Sequence, residues 1–205
     1  MRPRRPCPAT GQITRRGALL ALPALAQGAA RAQALEQTLT VPGGRLELQL
    51  DDDLPAALQA DACAWVERSA LAVSRWLGRF PLAETEVLLQ AVDGAGVQGG
   101  TTFGEPAPYV RIRLGRDTRA AHLAHDGVLV HEFLHLAVPR LAPAHQWLNE
   151  GLATYGAGWV RVHAGQLAAS QWWGQLVRGL PQGQPAAGDA GLDHTPTWGR
   201  TYWGG

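Results

Sequence analysis

The chain has 205 residues, 46% of them hydrophobic, which allows one domain with a sizeable core and excludes a largely disordered polymer. All 18 basic residues are arginine, and they are unevenly placed: residues 1–34 hold 6 arginines and no acid, whereas residues 35–205 hold 12 arginines against 17 acids. A basic leader on a body of net charge −5 with no basic stripe excludes nucleic-acid binding.

The leader comes first. Thr14-Arg15-Arg16-Gly17 precedes an apolar stretch from Ala18 to Ala30, broken by Pro23, Gln27 and Gly28. Two small-x-small sites follow, Ala30-Arg31-Ala32 and Ala32-Gln33-Ala34. Basic, apolar and small-residue parts in this order predict a signal peptide over 1–34, cleaved near Ala32 or Ala34, and a periplasmic or extracellular product. The arginine pair resembles a twin-arginine export signal. The apolar stretch is short for a bilayer span, so no stable membrane insertion is expected after cleavage; an uncleaved anchor is the alternative. Cys7 is lost with the leader, which leaves Cys63 alone and no internal disulfide.

Thr38–Val41 and Arg45–Leu50 alternate in the strand manner about Pro42-Gly43-Gly44, predicting a hairpin. Asp51–Asp53 are expected to cap a helix from about Leu54 to Phe80, stopped by Pro81. Glu86–Val92 reads as a strand, residues 93–108 as a loop, and Tyr109–Leu114 as a second clear strand. Beyond Asp117 the pattern turns helical, with helices over Val128–Val138, from near Asn149 past Val162, and over Gln171–Leu180, before a loop at 181–198. A small sheet with one long helix, followed by a helical half, is an α+β outline.

Residues 130–136 read Val-His-Glu-Phe-Leu-His-Leu. His131 and His135, four apart, share one helix face and can reach one ion, for which imidazole nitrogen suits zinc. Glu132 can then take a proton from water at that ion. A helix with two polar residues on its solvent side gives the same short pattern. Trp147-Leu-Asn-Glu-Gly-Leu-Ala-Thr-Tyr155 forms a second tract, with fourteen residues between His135 and Glu150, and a carboxylate at Glu150 completes a His₂Glu set. The prolines of Pro139–Gln146 make that segment a turn between the two helices, and Gly151 is expected to let them approach closely. Thr154 is either an orienting partner of a ligand or a plain surface residue.

His-Glu-x-x-His followed by Trp-Leu-x-Glu-Gly-x-Ala resembles the gluzincin metallopeptidases of the MA clan. Trp147–Tyr155 is similar to the aminopeptidase N family, and Val130–Leu136 to the glycyl aminopeptidase family; the spacer between the tracts is closer to the bacterial peptidase MA-like domains. The resemblance implies a zincin-like fold with one zinc in a cleft between sheet and helices. It implies His131, His135 and Glu150 as ligands, Glu132 as general base, and a peptide or protein as substrate. The amine-binding Gly-x-Met-Glu-Asn loop of aminopeptidases is not matched around Gly104-Glu105, so exopeptidase action is not implied. Gluzincins also place a tyrosine in a Tyr-x-x-Gly setting at a helix start, which Tyr202-Trp203-Gly204-Gly205 has, and this gives Tyr202 a catalytic role as hydrogen-bond donor to the carbonyl oxygen. Tyr155 is the rival, but five helical residues past Glu150 turn it about 500° around the axis, away from the metal.

The expected molecule is an exported zinc peptidase with one domain over 35–205. The chain stops where the helix of Tyr202 is expected to continue, so a domain shortened at its C-terminus is one reading. Tyr109–Leu114 is expected at the cleft's edge, where it would take up an extended peptide. The competing class is a non-catalytic exported binding module of the same fold. It would lack a ligand or the base, and this sequence holds all four. His122, His125 and Asp126 could suggest a second metal site, and Trp159, Trp172, Trp173, Trp198 and Trp203 a substrate cleft, with helix surface and core as the plainer readings. Nothing in the sequence sets an oligomeric state.

Overall fold

The computed structural model describes residues 35–104 and 106–205. The leader with Cys7, the Arg15-Arg16 pair and the cleavage sites at Ala32 and Ala34 lie outside the described residues, as does Glu105.

Strand alternation builds the sheet. β1 (Leu35–Val41) and β2 (Gly44–Leu50) form the expected antiparallel hairpin, with Val41 opposite Gly44. β3 (Glu84–Val92) and β5 (Tyr109–Gly115) follow in parallel, and β4 (Val97–Phe103) pairs antiparallel with β5. The order is β1-β2-β3-β5-β4, a mixed sheet. Two expectations need correction. The loop at 93–108 contains a strand, β4, and that strand, not Tyr109–Leu114, is the sheet edge. β5 is an interior strand, so both its backbone edges are already paired. β4 is hard to see in the sequence because Val-Gln-Gly-Gly-Thr-Thr-Phe lacks alternation; an edge strand that is only partly covered needs no apolar face.

α1 (Ala56–Leu77) is the crossover that parallel pairing of β2 and β3 requires. It buries Leu58, Ala62, Trp65, Val66, Ala70 and Val73 in the same cluster as Leu46, Leu48, Leu50, Val87, Leu89, Val110, Ile112 and Leu114. Each large side chain there contributes about 1.5–3 kcal/mol. The helix ends earlier than Pro81: Gly78 adopts a left-handed conformation at φ 82° and closes it. Asp51 does not cap it either. Its carboxylate accepts from the Asp53 and Ala91 backbone N–H groups, tying β2's end to β3. Cys63 is buried on this helix, in the core.

The second half is helical: α2 (Ala120–Ala124), α3 (Val128–His135), α4 (Gln146–His163), α5 (Ala169–Gly179) and α6 (Trp198–Trp203). α3 ends at His135, short of Val138, and α4 starts before Asn149, behind a 3-10 turn at Pro143–His145. The late segment is not a plain loop. A 3-10 turn at Leu180–Gly183 opens it, and an ion pair of Arg200 with Asp189 at 2.8 Å closes it. Asp193 accepts from Trp147 Nε1 at 2.6 Å and lies 2.9 Å from His145 Nδ1, which fastens this segment to the start of α4. The short helix α6 is thereby held against α4. No helix among the described residues is long and apolar enough to cross a membrane.

Candidate metal centre

The site begins with the anchoring of α3. Phe133 is fully buried and meets Phe80 edge-on at 5.2 Å, while Leu129, Val130 and Leu134 are buried beside it. An edge-to-face pair adds about 0.5–1.5 kcal/mol to the area it buries. With those positions committed to the core, the face of His131 and His135 is left for the cleft. The start of the helix is fixed by Asp126, whose Oδ1 accepts from Val128 N at 2.9 Å, and by buried Arg161, which donates to the His125 carbonyl at 2.7 Å. Burial pushes the pKa of the Asp126 carboxyl up to about 6, against the Val128 hydrogen bond and the Arg161 charge.

The two imidazoles meet edge-on, with their Nε2 atoms 3.0 Å apart. Glu150 of α4 brings Oε2 to 3.0 Å from His131 Nε2 and 3.4 Å from His135 Nε2. These three residues form the group, among the described residues, whose donor atoms could hold a metal ion. Their hydrogen-bonded partners lie outside the sequence expectations. His135 Nδ1 lies 3.0 Å from Asn149 Oδ1, and Gln146 Nε2 donates to Glu150 Oε1 at 2.7 Å. Gln146 stands four residues before Glu150, so helical spacing carried that signal. Thr154 makes neither bond. Gly151 is not the point of close approach between the helices: Gly156 is, where an added Cβ would stand 2.9 Å from Leu134 Cδ1.

Charge is shared tightly in this group. Burial disfavours the Glu150 carboxylate, yet hydrogen bonds and charge from His131 and His135 outweigh it and hold its pKa far below the carboxylate range. Burial also opposes protonation of His135, but the hydrogen bond and charge of Glu150, with help from Asn149 and Glu132, raise its pKa overall.

Glu132 stands apart from the three. Its side chain is 6% exposed and lies beneath β4. Thr102 Oγ1 is 2.7 Å from Glu132 Oε2 and 2.8 Å from the Glu132 carbonyl, and its single proton serves one of them at a time. Gly100 faces the same carboxylate: an added Cβ would stand 2.5 Å from Glu132 Cγ and 2.7 Å from Oε1. Neither residue is legible in the sequence, because their nearness depends on how β4 pairs with β5.

Tyr202 closes the cleft. Its ring lies 6.1 Å from that of His131, and burial together with the charges of Glu150 and Glu132 raises its pKa. It sits near the end of α6, not at the start of a helix as its motif suggested. Tyr155 is exposed and packs near Trp159 and Trp172, away from the centre. The tryptophans do not line the cleft either. Trp172 is a core residue with Leu167 and Leu176, Trp159 and Trp203 pack on it, and Trp173 and Trp198 face outward. His122 Nδ1 accepts from Arg119 N, and Asp126 serves α3, so neither joins a second metal group. The cleft encloses about 450 Å³ between β4, α3, the Val138–Arg140 turn, α4 and α6.

Similar folds are known. An aminopeptidase N family protein from Idiomarina loihiensis has a TM-score of 0.51 and 14% identity over 72% of this chain. An M1 zinc metallopeptidase from Deinococcus radiodurans has a TM-score of 0.44 and 21% identity over 70% of it. The chain spans 29% of the first protein's length and 32% of the second's. The likeness to the first establishes a shared α+β, zincin-like fold. No family model matches the sequence, and the comparison with curated proteins gives no match.

Proposed function

We propose that this chain is an exported zinc-dependent peptidase in which His131, His135 and Glu150 hold the metal and Glu132 is the general base. One observation carries the reading: donor atoms from two helices converge at 3.0–3.4 Å beside a buried carboxylate in the same cleft. Ligands of one tetrahedral zinc at roughly 2.0–2.1 Å stand about 3.3 Å apart, so the donor set fits that ion. Its hydrogen bonds fit too. With Asn149 accepting the His135 Nδ1 proton and Gln146 occupying Glu150 Oε1, the inward Nε2 and Oε2 keep lone pairs for a metal. Zinc in such a set supplies Lewis acidity, polarising a carbonyl and acidifying a water to a pKa of about 7.

The chain's own residues do the rest. β4 offers a free backbone edge to an extended peptide, which adds to the sheet as a strand. Glu132 accepts the proton of the attacking water and passes it to the leaving nitrogen. Gly100 and Thr102 hold that carboxylate in place. Tyr202, kept protonated, donates a hydrogen bond to the carbonyl oxygen as its negative charge grows.

Three variants test the assignment. Glu132→Gln keeps shape but cannot accept the proton, so zinc stays at wild-type content while kcat falls by orders of magnitude. Tyr202→Phe keeps zinc and loses roughly 10²–10³ in kcat, the usual worth of such a donor. His135→Ala loses most of its zinc. Normal turnover in Glu132→Gln, or full zinc in His135→Ala, contradicts these roles. Zinc retained by a wild-type protein that cleaves nothing favours the non-catalytic module instead.

Export belongs to the same proposal and rests on the leader over 1–34. The intact mass of the protein recovered outside the cytoplasm is expected to begin at Gln33 or Leu35; a mass that retains the leader contradicts cleavage.

A further inference from the structure

We propose that Arg140 is a carboxylate-recognising subsite, so that the best substrates of this cleft carry a carboxylate about two residues from the bond that is cut. The proposal rests on the peptidase reading above. Gly100, Thr102 and Gly104 lie two residues apart along β4 and its end, and therefore look to the same side. What they meet there changes along the strand. Gly100 and Thr102 face Glu132. At Gly104 the neighbour is Arg140: an added Cβ would stand 3.3 Å from Nη2 and 3.9 Å from Nε. Two residues of extended chain span about 7 Å, so a peptide laid along β4 passes the base and then the guanidinium at that interval.

Arg140 is exposed, lines the cleft, and forms no ion pair with a carboxylate among the described residues. It sits on the turn directly behind α3, one residue after Pro139, which keeps it beside the metal centre. Gly104 has no side chain to cover it. The charge balance of the cleft points the same way. Glu132 and Glu150 together offset a divalent ion, leaving Arg140 as the net charge of a pocket set in an acidic body. A guanidinium presents paired N–H donors that match both oxygens of a carboxylate and repels an amine. The ligand class is thus a carboxylate, supplied either by a peptide's C-terminus or by an Asp or Glu side chain.

The test compares matched peptides: free acid against C-terminal amide, and interior Glu against Gln. For each pair, kcat/KM is measured with wild type, Arg140→Gln and Arg140→Lys, and Kd by calorimetry with zinc-loaded Glu132→Gln, with and without Arg140→Gln. Wild type is expected to favour the carboxylate peptide by roughly ten- to hundredfold, the worth of a charged hydrogen-bonded contact. In Arg140→Gln that ratio falls to near one at unchanged zinc content, and Arg140→Lys recovers part of it. Discrimination lost on amidation assigns the C-terminal carboxylate; loss on Glu→Gln assigns the side chain. A wild-type ratio near one, or a ratio that survives in Arg140→Gln, overturns the proposal. If wild type cleaves no peptide, the peptidase reading fails, and the Kd ratios still decide Arg140.

Discussion

Glu132 is held in place partly by what Gly100 lacks. A methyl at position 100 would overlap Glu132 Cγ and Oε1, and both the buried carboxylate and the strand edge would have to shift. Displacing a catalytic group by about 1 Å costs roughly 10²-fold in rate. Gly100→Ala is therefore expected to keep its zinc and lose at least about tenfold in kcat; wild-type kcat in a zinc-loaded Gly100→Ala protein would show that the glycine is not needed. The same residues show where sequence reading stops. His131, Glu132, His135 and Glu150 are legible because helical spacing and one turn of chain bring them together, so local rules suffice. Gly100, Thr102 and Arg140 meet the site only through the pairing of β4 with β5 and the path of the turn after α3. Asn149 lies within the motif itself, but only the folded arrangement shows that its amide points at His135.

Among the elements, α3 depends at its start on the Asp126 carboxyl, which accepts from Val128 N, and on buried Arg161, which donates to the His125 carbonyl. Asp126 has a folded-state pKa of about 6 against an ordinary value near 3.9. A raised carboxyl favours the folded state in its protonated form, so this contribution is complete below about pH 4 and is lost as pH rises through 6. Asp126→Asn keeps an oxygen for Val128 N and removes the titration. The stability of the variant relative to wild type is thus expected to rise by about 2–3 kcal/mol between pH 4 and pH 7, measured by urea unfolding at both. A difference that does not change with pH would mean that Asp126 is solvated. Elements with strong apolar periodicity are legible in the sequence: the hairpin, α1, β5 and the long α4. β4 is not, for want of periodicity. The ends of α1 and α3 fall short of the expected ones because Gly78 and the turn at Leu136–Val138 act before the prolines do.

At the scale of the whole molecule, a mixed sheet carries the main core, and a helical half packed against it carries the candidate metal group. The α+β outline is legible in the order of the elements. The parallel pairing of β2, β3 and β5 is not, since it follows from where α1 returns the chain to β3 and from β4 lying outside β5 at the edge. The activity proposed for this architecture is the hydrolysis of peptides at a His₂Glu zinc site in the cleft. The direct measurement is hydrolysis of a fluorogenic peptide library by metal-stripped protein as zinc is added back. The expected result is negligible cleavage without metal, rising to a plateau at about one zinc per chain. Cleavage by the stripped protein, or none at full zinc occupancy, would contradict that proposal.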